Sequence, residues 1–260
     1  MKVPILKRTP TRYSKAIAII KELEQKDRYL GAFIFGSVAE GTSTSKSDLD
    51  VRVIVDAENP CTNINHPVID DYKLDLTFRS LLQEREHNEK MIQSADRVPN
   101  LTSAIILFDK TGQLKELKEL AQAARPKSFS EKDHQLAHFL IYHANNKVER
   151  FLKDDPIAAL FAMHCNLQEV LKVHYQLKTR WWKSSKALLQ DIRATDPVLA
   201  RLVEEFIMAS SVEQKYTYWS KIIDYALIPL GGRQPIDENN CNCEVCSEDL
   251  KYFLPTLKNN

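Results

Sequence analysis

The chain has 260 residues, 43% of them hydrophobic and 27% charged, with 36 basic side chains against 35 acidic ones. That is enough chain for one large domain or two modest ones, and the near-neutral balance argues against a protein that grips extended nucleic acid through clustered positive charge. Glycine is scarce: there are six, where about 7% of residues is usual, and with no Gly-x-Gly anywhere a dinucleotide fingerprint is excluded.

Gly36 to Gly41 has the spacing of a Walker phosphate loop but runs on into Thr42-Ser43, without the lysine that contacts the β- and γ-phosphates. The opening Met1-Lys2-Val3-Pro4 is charged and broken by proline, and no apolar run approaches the roughly 18 residues of a membrane span. A cytoplasmic protein with no membrane partner is therefore expected, its five cysteines reduced.

Thr11 to Arg28 has the apolar spacing of an amphipathic helix that ends before Gly31. Ala32-Phe33-Ile34-Phe35 reads as a short buried strand, Leu49 to Val55 as an alternating β-branched strand, and Tyr72 to Phe78 as a strictly alternating one. A polar helix over Leu81 to Ser94 follows, then a strand at Ala104 to Phe108, turn chemistry at Asp109-Lys110-Thr111-Gly112 and a helix through Ala124. From Arg125 onward only helical patterns occur. Ser130 with Asp133 starts one helix with apolar positions at Leu136, Leu140, Val148 and Phe151, and Asp155-Pro156 starts the next. Two more carry Leu199, Leu202, Val203 and Phe206, and Val212, Tyr216, Trp219 and Ile223. The organisation is α+β: a mixed-sheet domain over 1–125, an all-α helical bundle over 126–232, and a polar tail over 233–260.

Gly36-Ser37 follows the first strand, ten residues intervene, and Asp48-Leu49-Asp50 opens the second. Alternate residues of a strand share a face, so Asp48 and Asp50 point together while Leu49, Val51, Val53 and Val55 face the core. Arg52 shares the carboxylate face, where it could touch a phosphate or a carboxylate partner. On the next strand the polar face holds Lys73, Asp75 and Thr77. Three carboxylates converge if those strands pair with polar faces aligned. Crowded carboxylates repel unless cations sit among them, and such hard oxygen ligands suit Mg²⁺ with substrate phosphates completing its shell. The Gly36-Ser37 turn would let backbone N–H groups approach phosphate oxygens, with the Ser37 hydroxyl as a further donor.

Gly36-Ser37, ten residues, Asp48-x-Asp50 and a third acid at Asp75 resemble the nucleotidyltransferase superfamily shared with DNA polymerase β, over roughly residues 11 to 124. The helical half resembles in architecture the members that adenylylate aminoglycoside or lincosamide antibiotics. The resemblance implies attack by a substrate hydroxyl on the α-phosphorus of ATP or another nucleoside triphosphate, with release of pyrophosphate. It assigns Asp48 and Asp50 to the Mg²⁺ that bridges the phosphates, and Asp75 to a second Mg²⁺ and to the acceptor proton. Some relatives take a base from the helical domain, where Glu169 is the candidate, and a helical-domain lysine on the triphosphate, where Lys186 is the candidate. The expected acceptor is a small hydroxylated molecule; transfer to a macromolecule, a protein or an RNA end as in toxin–antitoxin systems, is the alternative. Two copies could pair as a homodimer.

Cys241, Cys243 and Cys246 pack three thiols into six residues, the last two at zinc-ligand spacing, but no fourth ligand is visible nearby, so reduced surface cysteines are the plainer reading and Zn²⁺ the sharper one. Cys61 and Cys165 read as packing residues. His134, His138 and His143 lack the zinc-protease glutamate and read as ordinary helix histidines. Trp181-Trp182 and Tyr216, Tyr218 and Trp219 read as helical core.

Overall fold

The computed structural model describes residues 11–233. The chain divides into two compact units, the first made of the chain up to Phe129 together with His174–Asp191, the second of Ser130–Val173 and the chain from Ile192 on.

In the first unit, α1 (Ser14–Glu22) leads to β1 (Tyr29–Ile34), a one-turn α2 (Gly36–Glu40), β2 (Leu49–Val55), β3 (Val68–Ile69), β4 (Tyr72–Arg79), α3 (Leu81–Ser94), β5 (Ile105–Asp109) and α4 (Gln113–Ala123). The five strands form one mixed sheet in the order β3-β4-β2-β1-β5. Strand β2 runs parallel to β4 and antiparallel to β1, and β1 is antiparallel to β5.

Period-two alternation decides what each face buries. Ala32, Ile34, Leu49, Val51, Val53, Val55 and Leu74 pack with Ala16, Ile17 and Ile20 of α1, while Phe33 and Ile54 on the opposite face pack with Leu114, Leu117 and Ala121 of α4. Helix α3 is started by a reciprocal cap: the Gln83 N–H donates to Ser80 Oγ at 3.2 Å, and the Ser80 N–H to Gln83 Oε1 at 3.1 Å. Its buried side chains are polar, Glu84 and Asn88.

From residue 131 the chain is helical: α5 (Glu131–Asp154), α6 (Pro156–Leu177), α7 (Ser185–Thr195), α8 (Pro197–Met208) and α9 (Val212–Leu227). In the second unit α8 buries Leu199, Ala200, Val203 and Phe206, and α9 buries Trp219, Ile222, Ile223, Ala226 and Leu227. No helix of the described residues is long and apolar enough to cross a membrane.

The first unit runs to Phe129 and takes in 174–191: Trp182 is 6% exposed, meets Tyr175 edge-on at 5.4 Å and donates its backbone N–H to the Asp96 carbonyl at 3.0 Å. Two expectations are corrected. On α5 the buried stripe is Ala137, Ile141, Ala144 and Val148, whereas Leu136, Leu140 and Phe151 are exposed. These positions fall at i, i+4, i+7 and i+11, one face of the helix. Cys61 and Cys165 are exposed rather than packed. Arg52, read as sharing the carboxylate face, is buried there. The tail with Cys241, Cys243 and Cys246 lies outside the described residues.

Candidate active site

The site is a row of residues running across the sheet. In the parallel β2–β4 pair Asp50 stands opposite Asp75 and Arg52 opposite Thr77, so the polar faces align and the two carboxylates are neighbours. On the β1 side, the Phe35 N–H donates to the Asp50 carbonyl at 3.1 Å, and the chain turns at Gly36 with φ +66°. A Cβ there would lie 2.2 Å from Asp50 Oδ2, so only glycine fits, both for its backbone angle and for the carboxylate beside it. The short α2 ends at Gly41 in the same left-handed region, where the Thr42 N–H donates to the Ser37 carbonyl at 2.9 Å.

The row extends beyond Asp75. Asn65 and Leu76 exchange backbone hydrogen bonds of 2.8 Å in both directions, and the Leu74 N–H donates to the Pro67 carbonyl at 2.9 Å. His66 is therefore the next residue opposite Asp75, and its Nδ1 stands 2.7 Å from Asp75 Oδ1. Lys73 places its Nζ 3.1 Å from the same Oδ1 and 3.4 Å from Asp48 Oδ2, tying Asp48 to the row.

The carboxylates sit in different electrostatic states. Desolvation, followed by repulsion from Asp75 and Asp48, raises the Asp50 carboxyl from 3.8 to about 6, against the pull of Lys186 and Arg52. Burial alone would raise Asp75 as well, but hydrogen bonds from Lys73 and His66 outweigh it and hold that carboxyl below its usual range. The Lys73 ammonium is held on to its proton by hydrogen bonding to Asp75.

Two residues along each strand the same face is roofed by α3. Arg52 Nη1 donates to Glu84 Oε2 at 2.9 Å, and Arg79 Nη1 to the same oxygen at 3.2 Å, with the Glu84 side chain 2% exposed. Burial raises the Glu84 carboxyl, an effect the two arginines oppose. The neighbouring His87 is pushed down to about 4 by burial and then by Arg79, Arg52 and Lys90. Arg52 thus has a carboxylate partner of its own, and it acts on Asp50 through its charge.

The other candidates are placed as follows. Ser37 is half-buried in the first turn of α2. Lys186, at the second position of α7, belongs to the unit that contains the sheet and is among the charges acting on Asp50. Glu169 is exposed on α6 in the second unit. His138 Nε2 donates to the Gly232 carbonyl at 3.0 Å, an ordinary structural contact. Sequence reading gave no role to His66, to Lys73 or to Glu84. Lys73 was visible as the charged neighbour on the polar face of β4, whereas His66 depends on a register that local sequence does not announce.

The all-oxygen donor set of Asp48, Asp50 and Asp75 fits a hard divalent cation, and the crowding that lifts Asp50 is what such an ion would relieve. Among the described residues no three His, Cys, Asp or Glu side chains stand together as a ready cage; Lys73 draws Asp48 and Asp75 towards itself.

Residues 18–103 match the family model of the polymerase beta nucleotidyltransferases. The matched span holds the whole row, from Gly36 through Asp48 and Asp50 to Asp75, together with α3. No curated protein matches the chain. Among solved structures it is similar to a nucleotidyltransferase-like protein from Exiguobacterium sibiricum 255-15, at 15% identity over 96% of this chain and 88% of that one, with a TM-score of 0.46.

Proposed function

We propose that the protein transfers a nucleoside monophosphate, AMP from ATP, to a hydroxyl of a small acceptor. The acceptor oxygen forms a bond to the α-phosphorus, the bond from that phosphorus to the bridging oxygen breaks, and pyrophosphate leaves. The observation that supports this most is the register of Asp50 opposite Asp75, with Gly36 in a left-handed angle where a Cβ would run into the Asp50 carboxylate.

Asp48, Asp50 and Asp75 would hold a divalent cation, Mg²⁺ in the cell, which neutralises phosphate charge and eases ionisation of the acceptor hydroxyl. The chain's own residues do the rest by position and charge. Gly36-Ser37 leaves backbone and hydroxyl free to approach the triphosphate. Lys186 contributes positive charge at the same place. Asp75, kept ionised by Lys73 and His66, accepts the acceptor's proton at its carboxylate. The near-neutral surface favours a small acceptor such as an aminoglycoside or lincosamide over a long nucleic acid.

The test is incubation with Mg²⁺ and α-labelled ATP against panels of aminoglycosides, lincosamides, cellular RNA and protein, with pyrophosphate release and product mass as readouts. Labelled small molecule, absent with Asp50→Asn, is the expected outcome. Label on RNA or protein transfers the reading to a macromolecular acceptor, and turnover indifferent to Asp48, Asp50 and Asp75 refutes it.

A further inference from the structure

We infer that His66 is a positioning residue for Asp75, donating from Nδ1 to Oδ1 so that the second carboxylate oxygen is presented to the transfer site in one orientation. The inference deepens the nucleotidyl-transfer reading and rests on it.

Three observations carry it. The first is that His66 is clamped by its backbone. The mutual Asn65–Leu76 bonds make that a hydrogen-bonded antiparallel pair, so the adjacent His66–Asp75 pair is of the non-hydrogen-bonded kind, whose side chains stand closest. The clamp continues through Pro67 into β3, where Val68 pairs with Lys73 and Ile69 with Tyr72. A two-residue turn of Asp70 and Asp71, both at positive φ, closes this hairpin and sets its register.

The second is chemical. An ionised carboxylate can only accept, so at 2.7 Å the proton of the pair sits on Nδ1, whichever state Nε2 is in. A donor on Oδ1 stops the carboxylate from rotating about its terminal torsion, which is otherwise broad. Lys73 cannot do this alone, because its single ammonium on a flexible stem is divided between Asp75 and Asp48.

The third is that the contact is not demanded by packing. The His66 side chain is 52% exposed, so water could satisfy the imidazole, and the fold does not need this ring buried. What the hydrogen bond organises is Asp75. Groups that orient a ligating carboxylate are worth about 10- to 100-fold in ion affinity or rate.

The experiment uses the full chain and two readouts: binding of Mn²⁺ without nucleotide, followed by electron paramagnetic resonance, and steady-state transfer. His66→Ala should weaken Mn²⁺ binding by about 10-fold and lower kcat by about 10- to 100-fold, with KM for the triphosphate little changed. His66→Asn, whose amide N–H can donate from nearly the position of Nδ1, should recover most of both at an unchanged thermal midpoint. His66→Ala indistinguishable from the parent in Mn²⁺ binding and kcat overturns the role, as does a folded His66→Asn no better than alanine. Asp75→Asn separates the two levels. If it loses both readouts and His66→Ala loses neither, only the positioning role fails; if Asp75→Asn binds Mn²⁺ and turns over normally, the transfer reading itself fails.

Discussion

Asp50→Asn should make the protein more stable while abolishing transfer. The folded state raises the Asp50 carboxyl from 3.8 to about 6 through desolvation and the neighbouring Asp75 and Asp48. Discounted for the solvent screening of a partly exposed carboxyl, that rise means an ionised Asp50 costs the fold about 1–2 kcal/mol. Because the folded pKa lies above the unfolded one, the favourable contribution is complete below pH 3.8 and is lost as the pH rises through about 6. Asparagine has the same shape and still fits beside Gly36, and it carries no charge to desolvate. Urea unfolding of parent and variant at pH 4, 5, 6 and 7.5 should give curves that nearly coincide at the acid end and separate by about 1–2 kcal/mol at the alkaline end, the variant being the more stable. Added Mg²⁺ should narrow the gap, since it stabilises only the chain that binds it. A variant less stable than the parent at pH 7.5, or a gap that stays constant with pH, would refute this account of Asp50.

Other variants test the parts around it. Gly36→Ala and Gly41→Ala both force alanine into a left-handed angle, at a cost of about 1–2 kcal/mol, but only at Gly36 would the new Cβ meet Asp50. Thermal melts should therefore move for both, while kcat/KM falls by about 100-fold for Gly36→Ala alone; equal activity in the two would show the close approach to be irrelevant. Glu84→Gln leaves Arg52 and Arg79 without their shared anion and should lower unfolding free energy by about 3–5 kcal/mol, and a loss below about 1 kcal/mol in urea would argue against a structural ion cluster. Lys186→Met should raise KM for the triphosphate by about 10-fold, equivalent to about 1.4 kcal/mol, with kcat less affected; an unchanged KM removes Lys186 from the site.

Much of the sheet was legible because β4 alternates strictly and β2 nearly so, which put Asp50 with Arg52 on one face of β2 and Asp75 with Thr77 on one face of β4; that the two faces coincide comes from the parallel register. The polar helix expected over Leu81 to Ser94 is α3. What the sequence did not disclose depended on register and on covering layers. Strand β3 is two residues long, and its turn is Asp70-Asp71 rather than a glycine-bearing pair, so no hairpin signal precedes it. His66 faces Asp75 only because of that hairpin. Arg52 was correctly placed on the carboxylate face, but its burial follows from α3, whose inward residues Glu84 and Asn88 carry none of the apolar spacing by which a covering helix is recognised. On α5 the larger side chains drew attention to Leu136, Leu140 and Phe151, while the buried stripe shares only Val148 with that reading and otherwise runs through Ala137, Ile141 and Ala144. The return of 174–191 to the first unit was hidden because a buried tryptophan in a helical stretch looks the same whichever core it serves.

Lys73 gives the carboxylate row its own counter-ion. A divalent cation arriving at Asp48 and Asp75 meets oxygens already neutralised in part, so its binding is an exchange of one cation for another rather than the filling of a bare anionic hole. Exchange of this kind weakens affinity for a free ion and favours one that arrives with a polyanion, since the released ammonium then finds new negative charge close by. On the nucleotidyl-transfer reading, a lysine on the strand next to Asp50 would in this way couple the arrival of the ion to that of the triphosphate.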